Sequence, residues 1–206
     1  MSTSVMQSGF MTSQVEPSHV GGEMEFLPFA YSDAPRTPLA SRYNGRSSIW
    51  TDTGRSALFI AATAILQSGG KPVAWVPAFS CVSISQALLQ AGFSISYYST
   101  GVCLGYEEGT LPEPLEGETL LFIHYFGHYN SRMAAAVRSY RVRGVRVIED
   151  CVQYSLSSKL GEHSDFAITS YRKLLPVVDG AALFFNAPMD LSSMALKLDQ
   201  PDEAFV

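Results

Sequence analysis

The sequence is poor in charge, and this scarcity limits the functions that it can serve. Charged residues make up 16% of its 206 residues, whereas apolar residues make up 47%. The net charge of -5 gives no support to a nucleic-acid surface, because proteins that bind the phosphate backbone carry a broad positive field. The one basic run is interpreted as a solvated helix face and consists of Arg138, Arg141, Arg143 and Arg146. The composition therefore predicts a folded domain with a substantial core.

Cysteine is equally scarce. The three cysteines, Cys81, Cys103 and Cys151, include no C-x-x-C pair, so the sequence predicts neither a disulfide framework nor a zinc site. The longest apolar stretch, Ala57 to Leu66, is too short to span a bilayer. The first basic residue is Arg36, which leaves no charged region for a secretory signal. We expect a cytoplasmic protein with no bound metal and no membrane or nucleic-acid partner.

Two phosphate-binding motifs are also missing. No G-x-G-x-x-G follows the first predicted strand. Gly69-Gly70-Lys71 is followed by Pro72, and this fails the P-loop pattern. A nucleotide-binding domain for NAD or ATP therefore has little in the sequence to support it.

From Thr53 onwards the sequence contains short apolar runs that alternate with helical stretches. Residues 1–50, rich in Ser, Thr, Gly, Pro and Met, predict an irregular N-terminal arm, and residues 51–206 predict one large domain. The alternation predicts an α/β fold, in which a mostly parallel sheet carries helices on both faces. Helices are predicted at 54–67, 82–91 and 130–143, and strands at 73–78, 94–98, 120–125, 145–148, 166–170 and 181–186.

Ligands of such sheets bind at the carboxyl ends of the strands, so residues that follow strands are candidates for function. The segment 53–56 opens a helix, and its N–H groups either hold a phosphate or are capped by Thr53. Asp150 ends a predicted strand, either as a loop cap or as the partner of a positively charged ring nitrogen. Lys173 follows another strand, either as a solvated surface group or as a reactive amine.

Taken together, these segments resemble the DegT/DnrJ/EryC1/StrS family of sugar aminotransferases, which depend on pyridoxal 5'-phosphate (PLP) and have PLP fold type I. The likeness covers most of residues 20–186, in the right order. Its most specific part is the acidic strand end followed at this distance by a lysine. The segments that carry it are VGGEMEF (20–26), TGRSAL (53–58), VPAFSC (76–81), FIHYFG (122–127), VIEDCVQ (147–153), GEHSD (161–165), SYRKLLP (170–176) and DG (179–180).

The resemblance implies PLP as the cofactor and assigns three residues to its reactive part. Lys173 would form the Schiff base with the aldehyde and, once displaced by the amino donor, would shuttle the proton. Asp150 would pair with the pyridine nitrogen and keep it protonated, so that the ring accepts electrons. Gln153 would form a hydrogen bond with the ring hydroxyl.

The resemblance also implies residues for the phosphate and for the face of the ring. Gly54 and Arg55 would give backbone N–H groups to the phosphate, and Ser170 would add its hydroxyl. Cys81 falls where the family places an aromatic side chain against the ring, and it is either a cofactor contact or a small buried thiol. For His124, at a strand end, a hydrogen-bonded structural role is expected rather than a cofactor contact.

Besides Cys81, this sequence departs from the family pattern in two places. Only Tyr171 and Arg172 separate Ser170 from Lys173, whereas many members have a longer segment there. Members also continue into a smaller C-terminal domain that helps to close the active site. Because the sequence ends at Val206, we expect that domain to be absent from it.

The function implied by the resemblance is transfer of an amino group from an amino acid, such as glutamate, to a keto group of a nucleotide-linked sugar. A homodimer is implied as well, because the family's active sites lie between subunits. One alternative is a non-catalytic or truncated relative that acts in binding or assembly. Another is a PLP-dependent dehydratase, but in that class histidine often replaces the lysine, so Lys173 argues against it.

Overall fold

The structure, a computed structural model, describes residues 47–101, 104, 111–157 and 159–186. Most of the predicted N-terminal arm, the segment 20–26 and Cys103 lie outside the described residues. The described strands are β1 (Ser48–Thr51), β2 (Val73–Pro77), β3 (Ser94–Tyr98), β4 (Thr119–Ile123), β5 (Arg146–Asp150), β6 (Phe166–Ser170) and β7 (Ala181–Phe185). The described α-helices are α1 (Gly54–Gln67), α2 (Val82–Gln90) and α3 (Ser131–Val142).

The seven strands form one sheet in the order β1-β7-β6-β5-β4-β2-β3. The pairs among β2, β3, β4, β5 and β6 are parallel, and β7 runs antiparallel to both β6 and β1. Asp150 pairs in register with Ile123 of β4 and with Ile168 of β6, so these parallel strands end at one edge. The predicted α/β fold with a mostly parallel sheet is therefore confirmed.

Helices cover both faces of the sheet because the central strands are apolar on both sides. In β4 all five residues are buried, and successive side chains point to opposite faces. Leu121 and Ile123 pack in the core that contains α1 and α2. Leu120 and Phe122 pack on the other side, in the core that contains α3. None of the described helices is long and apolar enough to cross a membrane.

The first strand corrects the boundary drawn at residue 50. Residues 48–50, which the sequence assigns to the irregular arm, belong to β1 and pair with β7 at the edge of the sheet. Four residues are too few to show the alternation of a strand, and the pairing partner lies more than a hundred residues away in the sequence. The ring of Trp50 stacks on Tyr171, with the ring centroids 5.7 Å apart. The ends of the other predicted elements agree with the structure to within two residues.

Candidate active site

The predicted site residues gather at the carboxyl edge of the parallel strands. Asp150 is the last residue of β5, and Ser170 is the last residue of β6. Lys173 closes a single turn of 3-10 helix, Tyr171–Lys173, directly after β6. Because β5 and β6 are parallel neighbours, both ends open onto the same side of the molecule. The fold thus joins segments that are far apart in the sequence.

The first turn of α1 approaches this edge closely. A β-carbon at Gly54 would lie 3.4 Å from the carbonyl oxygen of Thr169 and 3.6 Å from Cβ of Ser170, so glycine suits the contact. Thr53 caps the helix, since its hydroxyl accepts a hydrogen bond of 3.2 Å from the N–H of Ser56. No hydrogen bond within the described residues uses the N–H groups of Gly54 or Arg55. They lie at a helix N-terminus beside Ser170, an arrangement that suits an anion.

Asp150 is a buried carboxyl group, 7% exposed. Its Oδ1 accepts a hydrogen bond of 2.9 Å from the N–H of Val152, so the residue does cap the following turn. Burial raises the pKa of Asp150 to about 6, although the bond from Val152 and, less strongly, the positive charge of Lys173 oppose the rise. A buried carboxylate is stabilised by a cation beside it. This environment therefore suits a protonated ring nitrogen as well as it suits a turn cap.

Lys173 and Cys81 belong to the same cluster of charges. The ammonium group of Lys173 makes a minor contribution to two pKa values: it opposes the rise in the pKa of Asp150 and helps to lower the pKa of Cys81. The pKa of the Cys81 thiol is lowered first by the hydroxyl of Ser83, 3.1 Å from its Sγ, then by the Ser83 N–H, and less strongly by Lys173. Cys81 is exposed, so the alternative of a small buried thiol is wrong. Cys81 lies in the short connection between β2, which ends at Pro77, and α2, which begins at Val82, and so outside the elements that form the core.

Gln153 lies in the turn after β5 and is exposed. Its side-chain Oε1 accepts a hydrogen bond of 2.5 Å from the backbone N–H of Phe126, in the loop that follows β4. The ends of β4 and β5 are therefore joined by a side chain that the sequence assigns to the cofactor. The predicted cofactor contacts of all seven site residues, Asp150 and Lys173 included, stay predictions.

Behind the edge lies a buried hydrogen-bond network centred on His124, which is fully buried. Its Nε2 lies 2.7 Å from Oε1 of Glu149, and its Nδ1 accepts a hydrogen bond from the N–H of Asn130. Since Nδ1 accepts, the proton lies on Nε2, which donates to the carboxylate. Glu149 Oε2 accepts from the hydroxyl of Ser164 at 2.9 Å. His124 thus has the structural role expected for it.

Sequence reasoning missed Glu149 and Ser164 as members of this network. Glu149 faces the opposite side of the sheet from Asp150, because neighbouring strand residues alternate. A charged residue inside an apolar strand was the available signal, since a buried carboxylate requires a partner. His124, Glu149 and Cys151 also bring three ligand atoms within 4.8 Å of one another, a spacing that metal sites share. Here the Cys151 thiol, whose pKa is raised by burial, donates to Glu149 instead.

We expect the Glu149→Ala substitution to lower the free energy of unfolding by about 3–5 kcal/mol, because it leaves His124 and Ser164 buried without their acceptor. The Glu149→Gln substitution keeps the volume and one acceptor oxygen, so a smaller loss of about 1–2 kcal/mol is expected. Urea unfolding of the full chain measures both values. Glu162→Ala is the control, because that carboxylate is half exposed and lies 3.8 Å from His163. If the Glu149→Ala and Glu162→Ala variants lost equal free energies of unfolding, the stabilising role of the network would be disproved.

No protein-family model matches the sequence, and no curated protein matches it. Solved structures do match the fold. The aminotransferase TlmJ from Streptoalloteichus hindustanus is similar over 73% of this chain and 43% of its own, with 21% identity and a TM-score of 0.61. PseC of Helicobacter pylori, an aminotransferase involved in the biosynthesis of pseudoaminic acid, is similar over 72% of this chain and 42% of its own, with 13% identity and a TM-score of 0.58.

A third similar structure is NtdA from Bacillus subtilis with its bound cofactor PMP. It is similar over 73% of this chain and 37% of its own, with 19% identity and a TM-score of 0.52. The chain therefore spans less than half the length of each of these three proteins. At such identities the likeness shows the fold alone. The fold predicted from the sequence, that of the large domain of the PLP-dependent transferases of fold type I, is confirmed.

Proposed function

We propose that this chain is the PLP-binding part of an aminotransferase that transfers an amino group from an amino acid to a nucleotide-linked keto sugar. The observation that carries the proposal is the arrangement at the carboxyl edge, where the buried carboxyl group of Asp150 ends β5 and Lys173 closes the turn after the neighbouring strand β6. The first turn of α1 lies against the end of β6 at the same edge. A primary amine and a buried acid, both at the ligand-binding edge of a parallel sheet, are the two groups that PLP chemistry requires.

The described residues fit PLP at both of its ends. Asp150 would hold the ring nitrogen, because its buried carboxylate gains a counterion from a protonated ring. The N–H groups of Gly54 and Arg55 would hold the phosphate, together with the hydroxyl of Ser170. Gly54 has no side chain, and this allows α1 to begin directly against the end of β6.

In the proposed reaction the protein holds the cofactor and moves one proton. Bound PLP supplies an aldehyde and an electron-accepting ring. The amine of Lys173 would hold the aldehyde carbon until the amino donor displaces it. The freed amine would then take the proton from the substrate carbon and return it to the cofactor. Asp150 would keep the ring nitrogen protonated throughout, and the exposed thiol of Cys81 would lie against the ring.

The substrate and the partners are proposed from similar proteins and from the surface. One similar structure is a GDP-4-keto-6-deoxymannose-3-dehydratase with bound GDP-perosamine, which is a nucleotide-linked sugar. Dehydration is the less favoured reaction for this chain, because Lys173 retains the amine that transfer requires. The homodimer is supported by exposed apolar side chains after the strands at this edge: Phe79, Val82, Phe126 and Val178. A cytoplasmic location stays a prediction.

Covalent trapping tests the proposal. The full chain would be mixed with PLP, its visible absorbance recorded, and the mixture reduced with borohydride before peptide mass spectrometry. We expect one stable adduct, on the peptide that contains Lys173. Lys71 and Lys159, both exposed, are internal controls and should remain unlabelled at stoichiometric PLP. A folded chain that forms no adduct, or forms it only at the control lysines, would contradict the proposal and favour a role in binding or assembly.

A further inference from the structure

The loop after β4 contains an uncommon backbone conformation. Phe126 has φ 53° and ψ 29°, in the left-handed region, and Gly127 follows with φ 79°. This region is strained for a residue with a β-carbon, because the β-carbon comes too close to the backbone. The phenyl ring is 64% exposed, so burial of the side chain does not compensate for the conformation. Contacts of the backbone must stabilise it instead.

Both sides of this loop are fixed. The Tyr125 hydroxyl donates a hydrogen bond of 2.5 Å to the carbonyl oxygen of Phe79, at the end of the strand next to β4. The N–H of His128 donates to the carbonyl oxygen of Tyr125 at 2.9 Å and closes the turn. Further on, the N–H of Asn130 donates to Nδ1 of the buried His124. The peptide of Phe126 is therefore held in one orientation.

In this orientation the N–H of Phe126 points at the side chain of Gln153. It donates to Oε1 of Gln153 at 2.5 Å. A glutamine amide has one acceptor oxygen and one NH2 group with two donors. Because Oε1 faces the N–H of Phe126, the NH2 group is turned away from that loop, and no described residue accepts a hydrogen bond from it. Gln153 lies three residues after Asp150, at the edge where the cofactor is proposed to bind.

We infer that Phe126 is a positioning residue: its left-handed backbone fixes the Gln153 amide so that the site offers donors, and not an acceptor, to the ring oxygen of PLP. The inference rests on the proposed function. It gives the site a definite polarity, with the acceptor Asp150 at the ring nitrogen and a donor at the ring oxygen. This polarity favours a ring with its proton on nitrogen and negative charge on oxygen, which is the electron-accepting form.

The first arm of the test needs no cofactor. Hydrogen exchange of the Phe126 amide would be measured in the full chain and in variants of Gln153. We expect exchange to be about tenfold faster in the Gln153→Met variant, which keeps the length of the side chain but loses the acceptor. The Gln153→Glu variant keeps an acceptor oxygen and should protect the amide as the natural residue does. Equal exchange in all three proteins would overturn the inference whether or not PLP binds.

The second arm measures the pH midpoint of the visible absorbance of bound PLP. In the Phe126→Val variant a β-branched residue disfavours the left-handed backbone, so the amide of Gln153 is released. Loss of a donor to the anionic oxygen should raise the midpoint by about one pH unit. The Phe126→Gly and Phe126→Asn variants tolerate the conformation and should keep the natural midpoint, although both lose the phenyl ring.

The outcomes separate this inference from the proposed function. If the natural chain binds PLP at Lys173 and the three Phe126 variants shift the midpoint equally, the ring matters rather than the backbone, and the inference is wrong while the function stands. If the chain forms no adduct with PLP, the function fails, and with it the role given to Phe126. A shift in the Phe126→Val variant that is not increased by adding Gln153→Met would support the inference, because both changes then act through one contact.

Discussion

Replacing Lys173 with alanine is expected to abolish the covalent attachment of PLP and to slow amino transfer by about a thousandfold or more. The substitution removes the amine that holds the aldehyde and also the base that moves the proton. Lys173 is exposed and closes a short turn, so the fold should survive the loss of its side chain. Borohydride trapping measures the attachment, and conversion of PLP to its amine form by glutamate measures the transfer.

The Lys173→Arg variant separates the charge of Lys173 from its chemistry. Arginine remains protonated at neutral pH and keeps a positive charge near Asp150 and Cys81, but it provides no free amine. We expect it to bind PLP without a covalent bond and to be as inactive as the Lys173→Ala variant. Lys159→Ala is the matched control, since that lysine is also exposed and instead lies over the ring of Tyr129. An adduct that persists in the Lys173→Ala variant would show that another amine does the chemistry.

Replacing Asp150 with asparagine is expected to have opposite effects on stability and on function. The folded pKa of about 6 lies above the ordinary value of 3.8, so the folded chain binds this proton more tightly than the unfolded chain. The resulting stabilisation is present below the ordinary value and is lost as the pH rises through about 6. At pH 8 the ionised Asp150 therefore destabilises the cofactor-free chain by up to about 3 kcal/mol. Asparagine lacks this charge and can still accept from the N–H of Val152.

Urea unfolding of the cofactor-free chain at several pH values would measure the effect. The Asp150→Asn variant should be more stable than the natural chain at pH 8, and the difference should shrink to a fraction of that value at about pH 4. Asp165→Asn is the control, and it should lower the free energy of unfolding instead of raising it. Asp165 is paired with Arg141 at 3.0 Å and accepts a hydrogen bond from the N–H of Val147, so its charge is stabilised in the folded chain. If the Asp150→Asn variant were less stable than the natural chain at pH 8, the inference that the ionised, buried carboxylate destabilises the cofactor-free chain would be wrong.

The cost to function of the same substitution should appear once PLP is added. Asparagine cannot hold the ring nitrogen protonated, so we expect amino transfer to slow by about a hundredfold or more. Added PLP should stabilise the natural chain more than the variant, since only the natural carboxylate gains a counterion. A residue that lowers stability when the site is empty, and that function needs, is typical of a binding site.

The sheet could be predicted because its strands follow local patterns. Apolar runs such as Phe166–Ser170 reveal buried strands by themselves, and glycine or capping residues mark the ends of the helices. The placement of Asp150 at a strand end and of Lys173 shortly after another strand was predictable, because parallel strands bring such residues to one edge. Their roles towards a cofactor stay predictions. The short strand Ser48–Thr51 was not predictable, because its pairing with the distant strand β7 decides its conformation.

The sequence by itself determined the α/β class and the strand ends to within two residues, and its resemblance to a family supplied the residues proposed to hold PLP. Only the tertiary structure decided that Cys81 is exposed, that Glu149 turns away from Asp150 towards His124, and that Phe126 binds Gln153. The physical reason is that hydrophobic periodicity is a property of neighbours along the chain. The bonds from His124 to Glu149 and from Phe126 to Gln153 join residues 25 and 27 positions apart. They form because β4 and β5 lie side by side, and the order of strands in a sheet cannot be predicted from local sequence patterns.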